Sequence, residues 1–408
     1  MNCRHCKVLL TETFLDLGFA PPSNNYLKES DLSRPEKYFP LKIMVCKNCW
    51  LVQTQDYTKA DELFNPDYAY FSSTSVSFLA HAKNFADTLT KSLGLNKSSF
   101  VIEVASNDGY LLKNFVNSYI PCLGIEPTSS TARAAEKLGI PVLQEFFGAE
   151  TAKKLAAEDK LADLIVGNNV YAHVPDINDF TLGLKAVLKP AGTITLEFPH
   201  LMKLISLNQF DTIYHEHFSY LSLNTVNYIF KASGLRIFDV EKLSTHGGSL
   251  RIFGCHSEDK RITRETVPNL LYEEEQFGLK SLKTYQGFQE RADEVKNELI
   301  EFLVKQFHSG KKVVAYGAAA KGNTLLNYAG IKPDLLSEIY DASSSKQGKY
   351  MPGSHIPIKA PSDLNPIDTD YVLILPWNIA SEIINQNIAL LDHGVQFITA
   401  IPKIKYFP

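Results

Sequence analysis

An α/β chain built on parallel sheets is what this sequence predicts, and three observations carry that expectation. Apolar strand-like runs alternate with helical segments from "SFVIEVASNDGYLLKNF" through "GTITLEF". A second strand, glycine turn and helix begins at "KKVVAYGAAAKGNTLLNYAG". Ahead of both lies a stretch rich in Pro and Asn with two C-x-x-C pairs. Alternation of strands with helices argues for a parallel sheet covered by helices.

Length and composition are consistent with this. The chain has 408 residues, 45% apolar and 21% charged, which suits two or three globular domains. A net charge of −4 offers no basic field for nucleic acid or an anionic membrane. The start, "MNCRHCKVLL", lacks an apolar core followed by a small-residue cleavage site, and no apolar run reaches the roughly 20 residues a bilayer needs. A soluble, cytoplasmic monomer is expected. The expected division is residues 1–70, a cysteine module; 71–255, the first α/β unit; and 256–408, a helical connector with a second α/β unit. "YEEEQFGLKSLKTYQGFQERADEVKNELIEFLVKQF" reads as one long amphipathic connector.

Cys3-Arg-His-Cys6 and Cys46-Lys-Asn-Cys49 are knuckles separated by 39 residues. Each presents two thiolates to one tetrahedral zinc, and four sulfurs close the shell, so the ion is structural. Disulfides are unusual in a cytoplasmic chain, and neither pair opens a helix in a βαβ setting as a redox motif would.

In "VIEVASNDG" a strand runs into a helix, the place where doubly wound sheets bind ligands. It lacks G-x-G-x-x-G, so a dinucleotide fingerprint is not supported. Ala105 and Gly109 are small where backbone approaches a ligand, and Glu103 sits at the strand end. Glu126, in "LGIEPTSS", ends the next strand, where a carboxylate accepts from a ribose diol. The third strand end carries Asn168, Asn169 and His173.

These strand ends resemble the class I fold of S-adenosylmethionine-dependent methyltransferases. The resemblance implies a Rossmann-like core in which Glu103–Gly109, with Ala105, Ser106 and Asn107, holds the methionine part. It implies Glu126 and Pro127 at the ribose, Phe146 and Phe147 beside the adenine, and Asn168 and Asn169 at the sulfonium. "EVASNDG" departs from the usual glycine-rich loop and points to a subgroup. The paired knuckles, "EVASNDGYLL", "NNVYAHVPD", "YHEHFSYLS", "HGGSLRIF" and "YGAAAKGNTLLNY" are, in order and over the whole chain, similar to nucleotide-deoxysugar C-3′-methyltransferases. That family has an N-terminal zinc-binding module and a C-terminal Rossmann-like domain.

What this implies is methylation of a carbon beside the ketone of a dTDP- or GDP-linked 4-keto-6-deoxyhexose, with C-5′ as the alternative to C-3′. A carbon acid needs a base and a donor to its enolate oxygen, roles that histidine and tyrosine suit. The family pattern makes His217 the base, with Tyr214 as donor and Glu216 orienting His217 or holding substrate. His173 and one of Tyr68 and Tyr70 face the sugar. His215 is the least defined member of "YHEHFSYLS". A metal on H-x-H is disfavoured, since H-E-H lacks the helical spacing of H-E-x-x-H.

His246, Gly247, Gly248, Ser249 and Arg251 read as a turn and strand able to cradle a pyrophosphate. "GAAAKG" is not a Walker motif, but a helix start with Lys321 and Asn323 suits a nucleotide phosphate. Two rivals stand beside this reading: an O- or N-methyltransferase on a small metabolite, which needs no carbon-acid base, and a non-catalytic scaffold.

Overall fold

The computed structural model describes residues 1–55, 72–74 and 76–407. Among these, three sheets organise the chain.

The first sheet carries the cysteines. Its strands are β1 (Glu12–Ala20), β2 (Phe39–Val45) and β3 (Val52–Thr54), all antiparallel. Both knuckles are the same local turn. Lys7 N–H donates to the Cys3 carbonyl, and Trp50 N–H to the Cys46 carbonyl. Lys7 and Trp50 both take the left-handed conformation, at φ 62° and 60°, uncommon outside glycine. The repeated turn aims two thiols from each knuckle at one point. The sheet's fourth strand, Ser219–Tyr220, comes from the stretch "YHEHFSYLS": Val52 pairs with Tyr220 and Gln53 with Ser219.

The second sheet has seven strands. In chain order they are β4 (Val101–Val104), β5 (Cys122–Ile125), β6 (Val142–Leu143), β7 (Ala162–Asn168), β8 (Leu188–Pro199) and, after the short β9 (Ser219–Tyr220) of the first sheet, β10 (Leu235–Leu243) and β11 (Ser249–His256). Their spatial order is β10-β11-β8-β7-β4-β5-β6. The strands from β4 to β8 are parallel, and β11 runs against both its neighbours. This is the class I methyltransferase arrangement. Strands β4 and β5 are buried throughout, as continuous apolar runs covered on both faces require. The order reverses between β4 and β7, which opens a crevice beyond their carboxyl ends.

The third sheet is β12 (Val313–Tyr316), β13 (Ile339–Tyr340), β14 (Ile358–Lys359), β15 (Tyr371–Ile374), β16 (Gln396–Thr399) and β17 (Lys405–Phe407). It is parallel except for β17 and is ordered β14-β13-β12-β15-β16-β17. The expected single connector is three helices, Thr266–Phe277, Leu282–Tyr285 and Phe288–His308. Gly278 and Gly287 interrupt it at φ 92° and 73°. Gly278 ends its helix in the left-handed cap that glycine adopts without a Cβ clash.

The last of these helices buries Phe288, Ala292, Val295, Leu299, Phe302 and Leu303, spaced as one helical face. That face joins an apolar cluster holding Phe14 and Ile43 of the first sheet, Phe210 and Ile213 from the core, and Val313 and Leu325 beyond. Each Val, Leu, Ile or Phe side chain there contributes roughly 1.5–3 kcal/mol on full burial. A second cluster joins Met44 and Cys46 of the first sheet to Ile102, Ile165 and Leu196 of the second, so the three sheets share apolar packing rather than hanging from one another. No described helix is long and apolar enough to cross a membrane.

Candidate active site

A cleft of about 570 Å³ opens at the carboxyl ends of β4 and β7. Segments attached to all three sheets supply its walls: Asn24 from the loop between β1 and β2, strand ends of the second sheet, and Ala319, Ala320, Lys321 and Lys346 from connections of the third.

One end is built by the β4, β5 and β7 loops. Ala105 and Asn107 turn the chain at φ 57° and 50°. The Glu126 carboxylate accepts from Asn107 N–H and Thr128 N–H, each at 2.9 Å, which fixes it at the cleft wall. A carboxylate has about four lone-pair sites, so capacity remains for hydroxyls. Pro127, Phe146 and Phe147 line the same region, with Phe147 edge-on to Phe180 at 5.2 Å. Asn168 and Asn169 line it too, and the buried Oδ1 of each has no hydrogen-bond partner among the described residues. Buried polar atoms are seldom left so, and ligand donors satisfy them. An apolar slot, a fixed carboxylate and two orphaned amide oxygens fit the adenine, ribose and charged methionine parts of S-adenosylmethionine.

Three residues expected at this end lie behind the cleft wall. Glu103 is enclosed beneath the loop, where burial and the nearby Asp108 and Glu126 hold its carboxyl well above the usual range. Gly109 meets a neighbouring helix instead of a ligand: a Cβ there would lie 2.4 Å from Ile140 Cδ1. Ser106 is fully buried against Gly124. None of the three lines the cleft.

The other end holds the histidines. Residues 214–217 form a turn that leads into the strand Ser219–Tyr220. The Thr212 carbonyl accepts from His217 Nδ1–H at 2.8 Å, so the proton sits on Nδ1 and the lone pair on Nε2. His217 lines the cleft, with the Tyr214 ring 3.9 Å and the His173 ring 4.6 Å from its own. Burial pushes His217 well below the ordinary imidazole range, aided by nearby His173, His246 and Lys321. Burial brings His173 and His246 down to about 4. All three are thus neutral at pH 7. The Glu216 carboxylate accepts from Asn24 Nδ2 at 2.6 Å, and both residues line the cleft. His215 turns away, with Nε2 3.3 Å from the Phe39 carbonyl. Tyr68 and Tyr70 lie outside the described residues.

The expected pyrophosphate cradle is not assembled by the turn after β10. Arg251 is bound to Glu197 at 2.8 Å and Glu241 at 3.1 Å, and Ser249 Oγ donates to the Thr245 carbonyl. A Cβ on Gly247 would lie 2.4 Å from Trp377 Cη2, and one on Gly248 2.7 Å from Lys203 Cγ. The glycines admit neighbouring side chains, and only His246 of this group lines the cleft. Asn323 is fully buried and accepts from Asn327 Nδ2. Lys321 does line the cleft, over the Trp377 ring at 4.5 Å and donating to Asn378 Oδ1 at 2.6 Å.

Sequence reasoning missed Asn24, Phe180, Lys346 and the Thr212 carbonyl. None sits in a motif. Asn24 lies in the loop stretch "PPSNNY", and a carbonyl's role is invisible in a side-chain pattern.

Away from the cleft, Cys3, Cys6, Cys46 and Cys49 place all four Sγ atoms within 4.8 Å of one another. The pairs Cys3–Cys49 and Cys6–Cys46 are 3.5 Å apart. Four sulfurs at about 2.3 Å from one zinc stand about 3.8 Å apart, so the set fits a closed tetrahedral shell. Among the described residues no other group of metal-ligating side chains converges. Arg4, inside the first knuckle, donates to the carbonyls of Phe218, Pro175 and Thr54. The zinc module is thereby docked beside His217.

A class I sheet with a donor-shaped crevice, joined to a four-cysteine zinc module, makes the chain an S-adenosylmethionine-dependent methyltransferase. Sequence comparison refines the class. Residues 3–64 match the family described as "Putative zinc binding domain", 78–240 "Methyltransferase domain" and 244–402 "C-methyltransferase C-terminal domain". The C-methyltransferase NovU of Streptomyces niveus is 35% identical over 401 residues, covering 98% of this chain and 95% of that protein. The chain belongs to the C-methyltransferase family. Among solved structures, a methyltransferase from Anabaena variabilis is 15% identical over 49% of this chain and 96% of its own (TM-score 0.39). Magnesium protoporphyrin IX methyltransferase from Synechocystis is 13% identical over 45% of this chain and 84% of its own (TM-score 0.36).

Proposed function

We propose that this enzyme methylates the carbon beside the ketone of a nucleotide-linked 4-keto-6-deoxyhexose, at C-3′, with His217 as the general base. One observation carries the proposal: Nδ1–H of His217 is committed to the Thr212 carbonyl, which leaves the Nε2 lone pair of a cleft-lining, neutral imidazole. That is the form a base needs.

When bound, S-adenosylmethionine supplies a methyl group on a positively charged sulfur. Glu126, Asn168, Asn169, Phe146 and Phe147 would hold it, with Ala105, Asn107 and Pro127 alongside. His217 takes the proton from the carbon alpha to the ketone, and the electron pair left behind forms the enolate. Burial keeps His217 unprotonated but also makes it a weak base, so the enolate oxygen must be steadied. Tyr214, whose ring is tilted against that of His217 at 3.9 Å, would be the donor. Glu216, pinned by Asn24, and His173 would orient the sugar. The enolate carbon would then take the methyl, with S-adenosylhomocysteine as the other product. Lys321 and Lys346 supply positive charge for the diphosphate, beside Ala319 and Ala320 at the start of the helix Ala320–Ala329. The domain division 1–70, 71–255 and 256–408, a monomeric state and a cytoplasmic site of action belong to the same proposal.

The test is to offer dTDP- and GDP-linked 4-keto-6-deoxyhexoses with methyl-labelled S-adenosylmethionine and to locate the label by NMR. Label on the carbon beside the ketone supports the reading. Label on oxygen or nitrogen of any tested acceptor, with His217→Asn still active, refutes it.

A further inference from the structure

Trp377, in the third sheet's loop after β15, meets three separate parts of the cleft wall. Its ring lies under Lys321, with Nζ 4.5 Å from the centroid. Its Nε1–H donates to Asp211 Oδ2 at 2.7 Å. It also fills the space where Gly247 lacks a side chain, at 2.4 Å from a Cβ placed there. Each contact leads to a cleft residue. Asp211 is fully buried and precedes Thr212, whose carbonyl holds His217 Nδ1–H. Gly247 follows His246, which lines the cleft, and the Gly247 carbonyl accepts from Gln209 Nε2 on the segment leading to Asp211. Thr324 Oγ1 of the helix Ala320–Ala329 donates to the Ile213 carbonyl at 2.8 Å, so the same unit grips this loop at a second point.

We propose that Trp377 is a positioning residue for the methyl transfer: it fixes the Asp211–His217 loop through its indole N–H while its ring face holds Lys321 at the diphosphate end. This rests on the role proposed for His217 above. A loop end carrying a base needs its main-chain acceptor fixed to a fraction of an ångström, since a displacement of about 1 Å costs on the order of 100-fold in rate. A single indole serves both ends because its N–H and its π-face are separate handles.

Two substitutions divide these handles. Trp377→Phe keeps an aromatic face under Lys321 but loses the bond to Asp211; Trp377→Ala loses both. For Trp377→Phe we expect kcat for methyl transfer to fall roughly 10- to 100-fold, with KM for the sugar nucleotide and the dissociation constant for S-adenosylmethionine unchanged. Trp377→Ala should add a rise in KM for the sugar nucleotide. Amide hydrogen exchange over residues 209–217, read without substrate, should speed up in both variants and not at β4. Equal kcat and equal exchange in Trp377→Phe and the unaltered enzyme would overturn the proposal. If the unaltered enzyme transfers no methyl to any ketosugar, the functional reading fails. The exchange measurement then still decides whether Trp377 holds the loop.

Discussion

Thr54 Oγ1 donates to the backbone carbonyl of His217 at 2.8 Å. Thr54 ends β3 of the zinc-bearing sheet, and its own N–H donates to the Phe218 carbonyl. Together with the pairing of Val52 and Gln53 onto Tyr220 and Ser219, this makes the stretch that carries His217 an edge of the cysteine module. The zinc module is therefore a support for the His217 end of the cleft and not an appendage.

Removing the metal should disturb chemistry before donor binding. Cys46→Ser, or exhaustive chelation, is expected to lower methyl transfer at least about 10-fold while S-adenosylmethionine still binds, because it is the His217–Tyr220 stretch that is hydrogen-bonded to the cysteine-bearing sheet. Calorimetry beside activity checks this. Thr54→Val is the milder version: a buried hydrogen bond is worth about 1 kcal/mol net, with a further penalty where its partner is left unsatisfied. A zinc-free enzyme with full activity would detach the module from the mechanism.

His217→Asn should lower methyl transfer by about 10²- to 10⁴-fold, the usual worth of a positioned base. The dissociation constant for S-adenosylmethionine should change little. Loss of donor affinity in parallel with rate would instead mark His217 as part of the donor site.

Glu126→Ala should weaken S-adenosylmethionine binding by about 10- to 100-fold, since hydrogen bonds to a charged group are worth about 1.5–3 kcal/mol. Part of the effect is indirect, because Glu126 also holds the N–H groups of Asn107 and Thr128. Titration calorimetry on the variant is the check, with KM for the sugar as the control that stays constant.

The pH dependence follows from the neutral histidines. The base must be unprotonated, so activity is lost as pH falls through its pKa. Burial holds His217 well below the ordinary value of about 6.5. The acid limb of kcat/KM should accordingly lie clearly below pH 6.5. Stability moves the same way. His173 and His246 sit near 4 when folded and near 6.5 when unfolded. Between those values the unfolded chain binds more protons, so stability falls as pH drops from about 6.5 toward 4. Thermal melts across that window test it.

The strands and the knuckles were legible because local rules determine them. An apolar run buried on both faces and a C-x-x-C pair each look the same in any context. Asn168 and Asn169 were legible at the end of an obvious strand. The "HGGSLR" stretch misled for a physical reason: glycines permit close approach equally to a ligand or to Trp377 and Lys203, and only the packing decides. Arg251 offered a fork for phosphate, but Glu197 from β8 and Glu241 from β10 take it. The acceptor that fixes His217 is the carbonyl of Thr212, and its choice depends on how residues 210–217 fold back. Asn24 and Lys346 reach the cleft only because sheets distant in sequence share one core.

Proton abstraction by His217 can be measured without methyl transfer. The enzyme is incubated in deuterated water with a dTDP- or GDP-linked 4-keto-6-deoxyhexose and S-adenosylhomocysteine, so that no methyl is available, and the sugar is read by mass and NMR. Deuterium should enter at the carbon beside the ketone, and His217→Asn should abolish the exchange. Exchange that persists at the full rate in His217→Asn, or methyl transfer to carbon without any His217-dependent exchange or rate loss, would contradict the role of His217 as the base.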